Sequence, residues 1–162
     1  VSPTTIYAND SRMDIVTATR NDISDWLGLR RKLWPHHSVE CHERDIRQAL
    51  ANPTYVCLLA VEDGLTTGFI EVQLRDVAEG CRTSPVAYIE GWYVSPKHQR
   101  SGVGRRLMGA AETWARSEGC REIASDAEID NELSHKAHLG LGFSESARLA
   151  HFRKNIAESG GV

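Results

Sequence analysis

The 162-residue chain is 41% apolar and 25% charged, a balance that suits one globular domain able to bury a single good core. Five prolines and thirteen glycines are too few for a disordered or collagen-like chain, and a formal charge of −3 advertises no basic field for nucleic acid. The longest apolar run, Tyr55 to Val61, is far too short to span a membrane.

Residues 1–12 are polar and lack the apolar stretch of a secretory signal. With Met13 leading into strand-like Asp14-Ile15-Val16-Thr17-Ala18-Thr19, they read as a leader or tag outside the fold. The expected domain is 13–157, with 158–162 a flexible tail. Asn21-Asp22 is an N-cap pair, and Ile23, Trp26, Leu27, Leu33 and Trp34 recur at helical spacing until Pro35 ends the helix. Ser38 caps a second, charged helix reaching about Ala51, with Val39, Ile46 and Leu50 as its apolar stripe. Thr54–Glu62 is an apolar strand, Asp63-Gly64 a hairpin turn, and Thr66–Asp76 the returning strand. After a loop containing Gly80, Val86–Val94 is a strand rich in aromatic and β-branched residues, stopped by Pro96. Gly102–Ser117 is a helix with Val103, Leu107, Ala111, Trp114 and Ala115 on one face, and Gly119 stops it. Arg121–Asp126 is a short strand, Asn131–Leu141 a short helix and Phe143–Asn155 a last strand. The fold class is mixed α+β with one central sheet: antiparallel through the hairpins, and parallel across the crossover that follows residue 86.

The four cysteines (Cys41, Cys57, Cys81, Cys120) are scattered, and no two stand at metal-ligand spacing. They read as free thiols of a cytoplasmic protein, with no metal. The informative stretch is Val94-Ser95-Pro96-Lys97-His98-Gln99-Arg100-Ser101-Gly102-Val103-Gly104-Arg105-Arg106-Leu107. A strand ends, a short basic loop follows, and two glycines open an amphipathic helix. Glycines let backbone approach a ligand closely, and the helix N-terminus offers unpaired N–H groups and a positive dipole end. With the arginines, this is a phosphate cradle. It is neither a P-loop, since no Gly-Lys-Ser/Thr follows, nor a complete Rossmann fingerprint.

Two acids carry a physical reading of their own. Strand alternation puts Tyr88, Glu90, Trp92 and Val94 on one face, so Glu90 stands among aromatic neighbours and could accept a proton from an ammonium. Gly91 beside it marks a candidate bulge, which would upset that alternation. Asp126 ends the crossover strand, where ligands favour the carboxyl ends of strands; it could equally cap the next helix. Trp34 at its helix end is either core or a ligand platform. Glu128 and Asp130 read as solvated loop acids, while Glu40, Glu43 and Asp45 could face the same cavity as Trp34.

Gln99-Arg100-Ser101-Gly102-Val103-Gly104 resembles the Gln/Arg-x-x-Gly-x-Gly/Ala signature of the GNAT N-acetyltransferases. Asn131, Ser134, Ala137, His138 and Gly142-Phe143 are similar to the family's second cofactor motif, with His138 where tyrosine is usual. A closer resemblance runs along the whole chain. Leu33-Trp34-Pro35-His36-His37, Ser84-Pro85 before Ile89-Glu90-Gly91, Gly119-Cys120-Arg121-Glu122 with Ala124-Ser125-Asp126, and Phe152-Arg153-Lys154 together resemble the aminoglycoside 6′-N-acetyltransferases.

That resemblance implies a GNAT fold and transfer of acetyl from acetyl-CoA to the 6′-amine of an aminoglycoside by direct attack, without a metal, in a cytoplasmic homodimer that confers antibiotic resistance. It implies that Gln99, Arg100, Ser101, Gly102, Val103, Gly104 and Arg105 wrap the pyrophosphate. Backbone groups of Trp92, Tyr93 and Val94 would meet the pantetheine arm and thioester carbonyl, and Asn131 would hydrogen-bond the cofactor or cap its helix. Trp34, His37, Glu90 and Asp126 would bind the drug, with Glu90 as base, directly or through a water, and His138 would donate a proton to, or hydrogen-bond, the departing thiolate, or else be a structural histidine of its helix. Departures from some relatives are Phe152 in place of a tyrosine, Ala147 in place of an acid, and Val77-Ala78-Glu79 without a tyrosine; drug range turns on these. Two other functions share the cofactor loop: a GNAT enzyme acting on another amine, and a non-catalytic acyl-CoA-binding sensor. Nucleic-acid and membrane partners are not expected.

Overall fold

The computed structural model describes residues 13–156, so the leader expected over residues 1–12 and the tail over 158–162 lie outside the described residues. The chain forms two compact units that divide after Asp126.

The first unit holds a five-stranded sheet in the order β1 to β5. These are β1 (Met13–Thr17), β2 (Tyr55–Glu62), β3 (Leu65–Arg75), β4 (Val86–Val94) and β5 (Ile123–Ser125). The first four pair antiparallel, and β5 runs parallel to β4. The β2–β3 turn is Asp63-Gly64 with both residues at positive φ, the geometry whose twist matches the flanking strands. Three helices dress the sheet: α1 (Ile23–Leu33), α2 (Val39–Ala51) and α3 (Val103–Ser117). A single 3₁₀ turn at Arg20–Asp22 precedes α1, fixed by a reciprocal cap between Thr19 and Asp22. Ser38 caps α2 by accepting from Cys41 N at 3.1 Å. One core packs Trp26, Leu29, Ile46 and Ala49 of α1 and α2 on Cys57, Leu59 and Phe69 of the sheet. α3 packs on β2, β3 and β4 with Val103, Leu107, Met108, Ala111 and Ala115 buried.

The register of β3 against β4 decides where the site residues point. Glu71 pairs with Gly91, but Val72 pairs with Ile89, so Glu90 is an extra residue opposite no partner. The expected alternation of Tyr88, Glu90, Trp92 and Val94 onto one face therefore fails. Beyond the bulge, Trp92 and Val94 pair with Ile70 and Gly68 on the α3 side, where Trp92 lies against Gly104 and Gly68 against Leu107. Tyr88 pairs with Gln73, and Glu90 lines the cavity on the opposite side, with Gln73 and Glu71.

The second unit contains α4 (Glu132–Gly140), capped by the Asn131 side chain, which accepts from Ser134 N at 3.0 Å. The strand expected over residues 143–155 does not form: residues 143–156 are extended or irregular and solvent-exposed for the most part. A strand needs a neighbour to satisfy its N–H and C=O groups, and this segment pairs with no strand among the described residues.

Candidate active site

A cavity of about 400 Å³ opens between the ends of α1 and α2 and the faces of β3 and β4. Trp34, His37, Asp45, Glu71, Gln73 and Glu90 are among its walls. Three of the residues singled out in the sequence, Trp34, His37 and Glu90, therefore meet there, and Asp45 joins them. Glu40 and Glu43 do not line it; Glu43 instead pairs with Arg47 across one helical turn at 3.0 Å.

Trp34 terminates α1 just before Pro35 and is held from several directions. His42 Nε2 donates to its carbonyl oxygen at 3.2 Å. The Arg30 guanidinium lies 4.7 Å from its ring centre, and His37 stacks alongside with 6.4 Å between centroids. Its indole rests on Gly91, where a Cβ would stand only 2.5 Å from Trp34 Cη2. Gly91 therefore leaves room for the indole beside the bulged Glu90.

The cavity floor is a buried polar network that sequence reasoning missed. Glu71, 1% exposed, accepts from Arg30 Nη1 on both oxygens (2.7 and 2.8 Å) and from Trp26 Nε1 and the Tyr55 hydroxyl. Arg30 also reaches Asp45 at 3.4 Å. Burial pushes the Glu71 carboxyl up, opposed by Arg30, Tyr55 and Trp26. Burial and the Glu71 charge push the Tyr55 phenol up as well, so it stays a donor. His42 is fully buried, and desolvation lowers its pKa, keeping the ring neutral. Two signals in the sequence could have found this set: an acid inside the apolar run Phe69-Ile70-Glu71-Val72, and Arg30 four residues from both Trp26 and Trp34 on one helical face.

Asp126 follows β5, and its carboxylate lies beside the Tyr88 hydroxyl. Burial first, then the nearby Asp126 charge, pushes that phenol up to about 12. The Tyr88 ring carries Arg75, which is bonded to Glu90 at 2.7 Å. Both candidate acceptor acids are thus tied to one aromatic side chain.

The glycine loop has a distinct geometry. Gly102 adopts φ +90° as the N-cap of α3, and a Cβ built there would meet nothing within 4 Å. That is an open cradle at a helix N-terminus of fifteen residues, which fits a phosphate group. Arg100 also has positive φ. The loop is pinned on its protein side: Gln99 Nε2 donates to Val94 O at 3.1 Å, and Ser101 Oγ to His98 O at 2.6 Å. Gly104 has a different reason from the expected approach to a ligand, since its missing Cβ makes room for the Trp92 ring at 3.0 Å. Val103 is buried in the core, whereas Arg105 is exposed. β5 pairs with β4 only at Ala87, Tyr88 and Ile89, so that edge of β4 runs on past β5 through Trp92, Tyr93 and Val94. This side of β4 runs on to the glycine loop, and the N–H and C=O groups along a sheet edge can hold an extended ligand arm.

In the second unit, His138 Nδ1 bonds Ser134 O at 2.7 Å, which places a ring proton on Nδ1, and its ring meets Phe143 edge-on. Among the described residues no group of three His, Cys, Asp or Glu could hold a metal, and no helix is long and apolar enough to cross a membrane. All four cysteines are free.

The profile of the acetyltransferase (GNAT) family matches residues 20–143. The chain belongs to the GNAT acetyltransferase family. Within this family it is 43% identical over 139 residues to an aminoglycoside N(6′)-acetyltransferase type 1 of Klebsiella aerogenes, covering 83% of this chain and 91% of the relative. It is 43% identical over 144 residues to the type 1 enzyme of Stenotrophomonas maltophilia, covering 88% and 93%. Among solved structures, AAC(6′)-Iy in complex with the bisubstrate analog CoA-S-monomethyl-acetylneamine superimposes with a TM-score of 0.87 at 36% identity, covering 90% of this chain and all of that one. AAC(6′)-Ih from Acinetobacter baumannii gives 0.84 at 39% identity, with the same coverage.

Proposed function

We propose that this acetyltransferase moves the acetyl group of acetyl-CoA to the 6′-amine of aminoglycoside antibiotics, and so confers resistance to them. The observation that carries the reading is Glu90, bulged out of β4 into a polar cavity at the strand whose edge leads to the glycine loop. The type 1 relatives and the bisubstrate complex of a neighbour support the acceptor class.

In this reading the residues work as follows. The first-turn N–H groups of α3 and the loop from Gln99 to Arg105 hold the pyrophosphate, with Gly102 leaving the space. Main-chain groups of Trp92, Tyr93 and Val94 line the acyl arm and point donors at the carbonyl oxygen where charge develops. When bound, acetyl-CoA supplies an activated thioester. Trp34 and His37 form an aromatic wall for a sugar ring, and Asp126 and Glu90 attract its ammonium groups. Glu90 takes the proton that must leave the ammonium before its nitrogen can attack. On the motif they match, Asn131 serves the cofactor through its side-chain amide and His138 through ring Nε2, which, with the ring proton on Nδ1 given to Ser134 O, accepts from CoA leaving as the thiol.

The working unit is residues 13–157 in a cytoplasmic homodimer. The exposed apolar side chains of Leu149, Phe152 and Ile156 (61%, 94% and 91% exposed) support self-association, because a second copy can cover them. Size-exclusion chromatography with light scattering tests this, and a monomer at micromolar concentration contradicts it.

The deciding experiment is thiol release from acetyl-CoA with kanamycin, tobramycin, spermidine and a peptide amine. Rapid release with the two drugs alone supports the proposal. Release with spermidine or peptide alone moves the acceptor to another amine. Acetyl-CoA binding without release from any amine moves the protein to a sensor.

A further inference from the structure

Glu90 is gripped by a neighbour. Arg75, the last residue of β3, donates to it from Nε at 3.1 Å and from Nη2 at 2.7 Å, and both bonds fall on the same oxygen, Oε1. The guanidinium is itself backed by an aromatic face: its carbon lies 3.5 Å from the centre of the Tyr88 ring. Tyr88 is only 7% exposed, so the platform under Arg75 is fixed by packing. A planar fork stacked on a fixed ring has one orientation, and a lysine could reproduce its charge but not that geometry.

Glu90 needs such a support. As the bulged residue it has no cross-strand partner to fix its backbone, and its side chain is a quarter exposed. The other charged or titratable groups of the cavity are engaged elsewhere. Arg30 is bonded to Glu71 and Asp45, Tyr55 is bonded to Glu71, and His37 stacks on Trp34. Arg75 is the only cation that bonds Glu90 among the described residues.

We propose that Arg75 is a positioning residue for the acceptor site: stacked on Tyr88, it holds Glu90 by Oε1 and leaves Oε2 to meet the acceptor's ammonium. This rests on the reading of Glu90 as the acceptor-side acid. It adds that the acid works as one half of a pair, aimed by a cation that never touches the substrate.

The test is steady-state kinetics of Arg75→Met, Arg75→Lys, Glu90→Gln and the double variant Arg75→Met/Glu90→Gln, with kanamycin and acetyl-CoA. The expected result is a fall of roughly ten- to a hundredfold in kcat/KM for kanamycin in Arg75→Met, the scale of a misplaced reacting group. The acetyl-CoA KM stays at the wild-type value. Arg75→Lys recovers part of the loss, and the double variant is no worse than Glu90→Gln alone. Arg75→Met within twofold of wild type while Glu90→Gln is impaired overturns the inference and leaves the role of Glu90 standing. Additive losses in the double variant also overturn it, because Arg75 would then act independently. Wild-type activity in Glu90→Gln overturns the acceptor-side reading itself. Should Arg75→Met fail to fold, Arg75→Lys decides: full activity contradicts the need for a stacked fork.

Discussion

Gly91→Ala isolates the seat of Trp34 from every other feature of the site. Gly91 does not have a positive φ, so alanine is compatible with the backbone, and the perturbation is the methyl group alone. That methyl would stand 2.5 Å from Trp34 Cη2, 3.0 Å from Cζ2 and 3.4 Å from Leu33 Cδ2. Carbon atoms settle at about 3.5–4.0 Å, so the indole must retreat by about 1 Å. It cannot do so freely, because His42 holds its carbonyl and Arg30 covers its ring. Overpacking of this kind costs about 1–3 kcal/mol, or roughly ten- to a hundredfold in kcat/KM where the displaced group contacts substrate. The assay is kcat/KM for kanamycin and, separately, for acetyl-CoA. The expected loss falls on the drug. Trp34→Ala should absorb most of it, so that the double variant Gly91→Ala/Trp34→Ala is no worse than Trp34→Ala. A Gly91→Ala enzyme within twofold of wild type for the drug, or one that loses acetyl-CoA affinity instead, refutes the reasoning.

Gly102→Ala forces a side chain into φ +90° with no steric clash, so it should raise the acetyl-CoA KM while the drug KM holds; a change confined to the drug contradicts the cradle. Glu71→Gln leaves the buried Arg30 guanidinium short of its counter-charge, at a cost of about 3–5 kcal/mol, which at roughly 2–4 °C per kcal/mol lowers the melting midpoint by about 10 °C; calorimetry showing less than about 2 °C refutes the network. His42 has its pKa depressed by burial, so the unfolded chain takes up this proton first as pH falls below about 6.5. Its contribution is intact above that value and is lost as pH drops toward the folded pKa. Urea unfolding at pH 7.5 and 5.5 should therefore show a smaller loss on acidification in His42→Gln than in wild type, and equal losses would contradict it.

Much of this architecture is legible in the residues, and the exceptions have physical causes. Helix ends were readable because capping is local: Ser38, Asn131 and Pro35 act within a few residues of themselves. β4 was readable because aromatic and β-branched residues run from Val86 to Val94 between clear stops. The facing of Trp92 was not, because a bulge is a property of two strands and depends on how Glu71 and Val72 register against Ile89 and Gly91. The Arg30–Glu71 pair spans 41 residues of sequence, so no local pattern joins them. Gly104 was read as facing a ligand, whereas the Trp92 ring explains it, because a glycine in a loop does not say which neighbour needs the space. The segment after Phe143 has a strand-like sequence, but a sequence cannot supply its own ladder partner.

In the proposed reaction the 6′-amine is the group acetylated. The most direct measurement compares an aminoglycoside with its analogue carrying a hydroxyl at 6′, following thiol release from acetyl-CoA and locating the acetyl group in the product by NMR. The expected result is rapid release with the amine, acetylation at the 6′ nitrogen, and no release above background with the hydroxyl analogue. Equal turnover of both compounds, or an acetyl group on any other nitrogen, would contradict it.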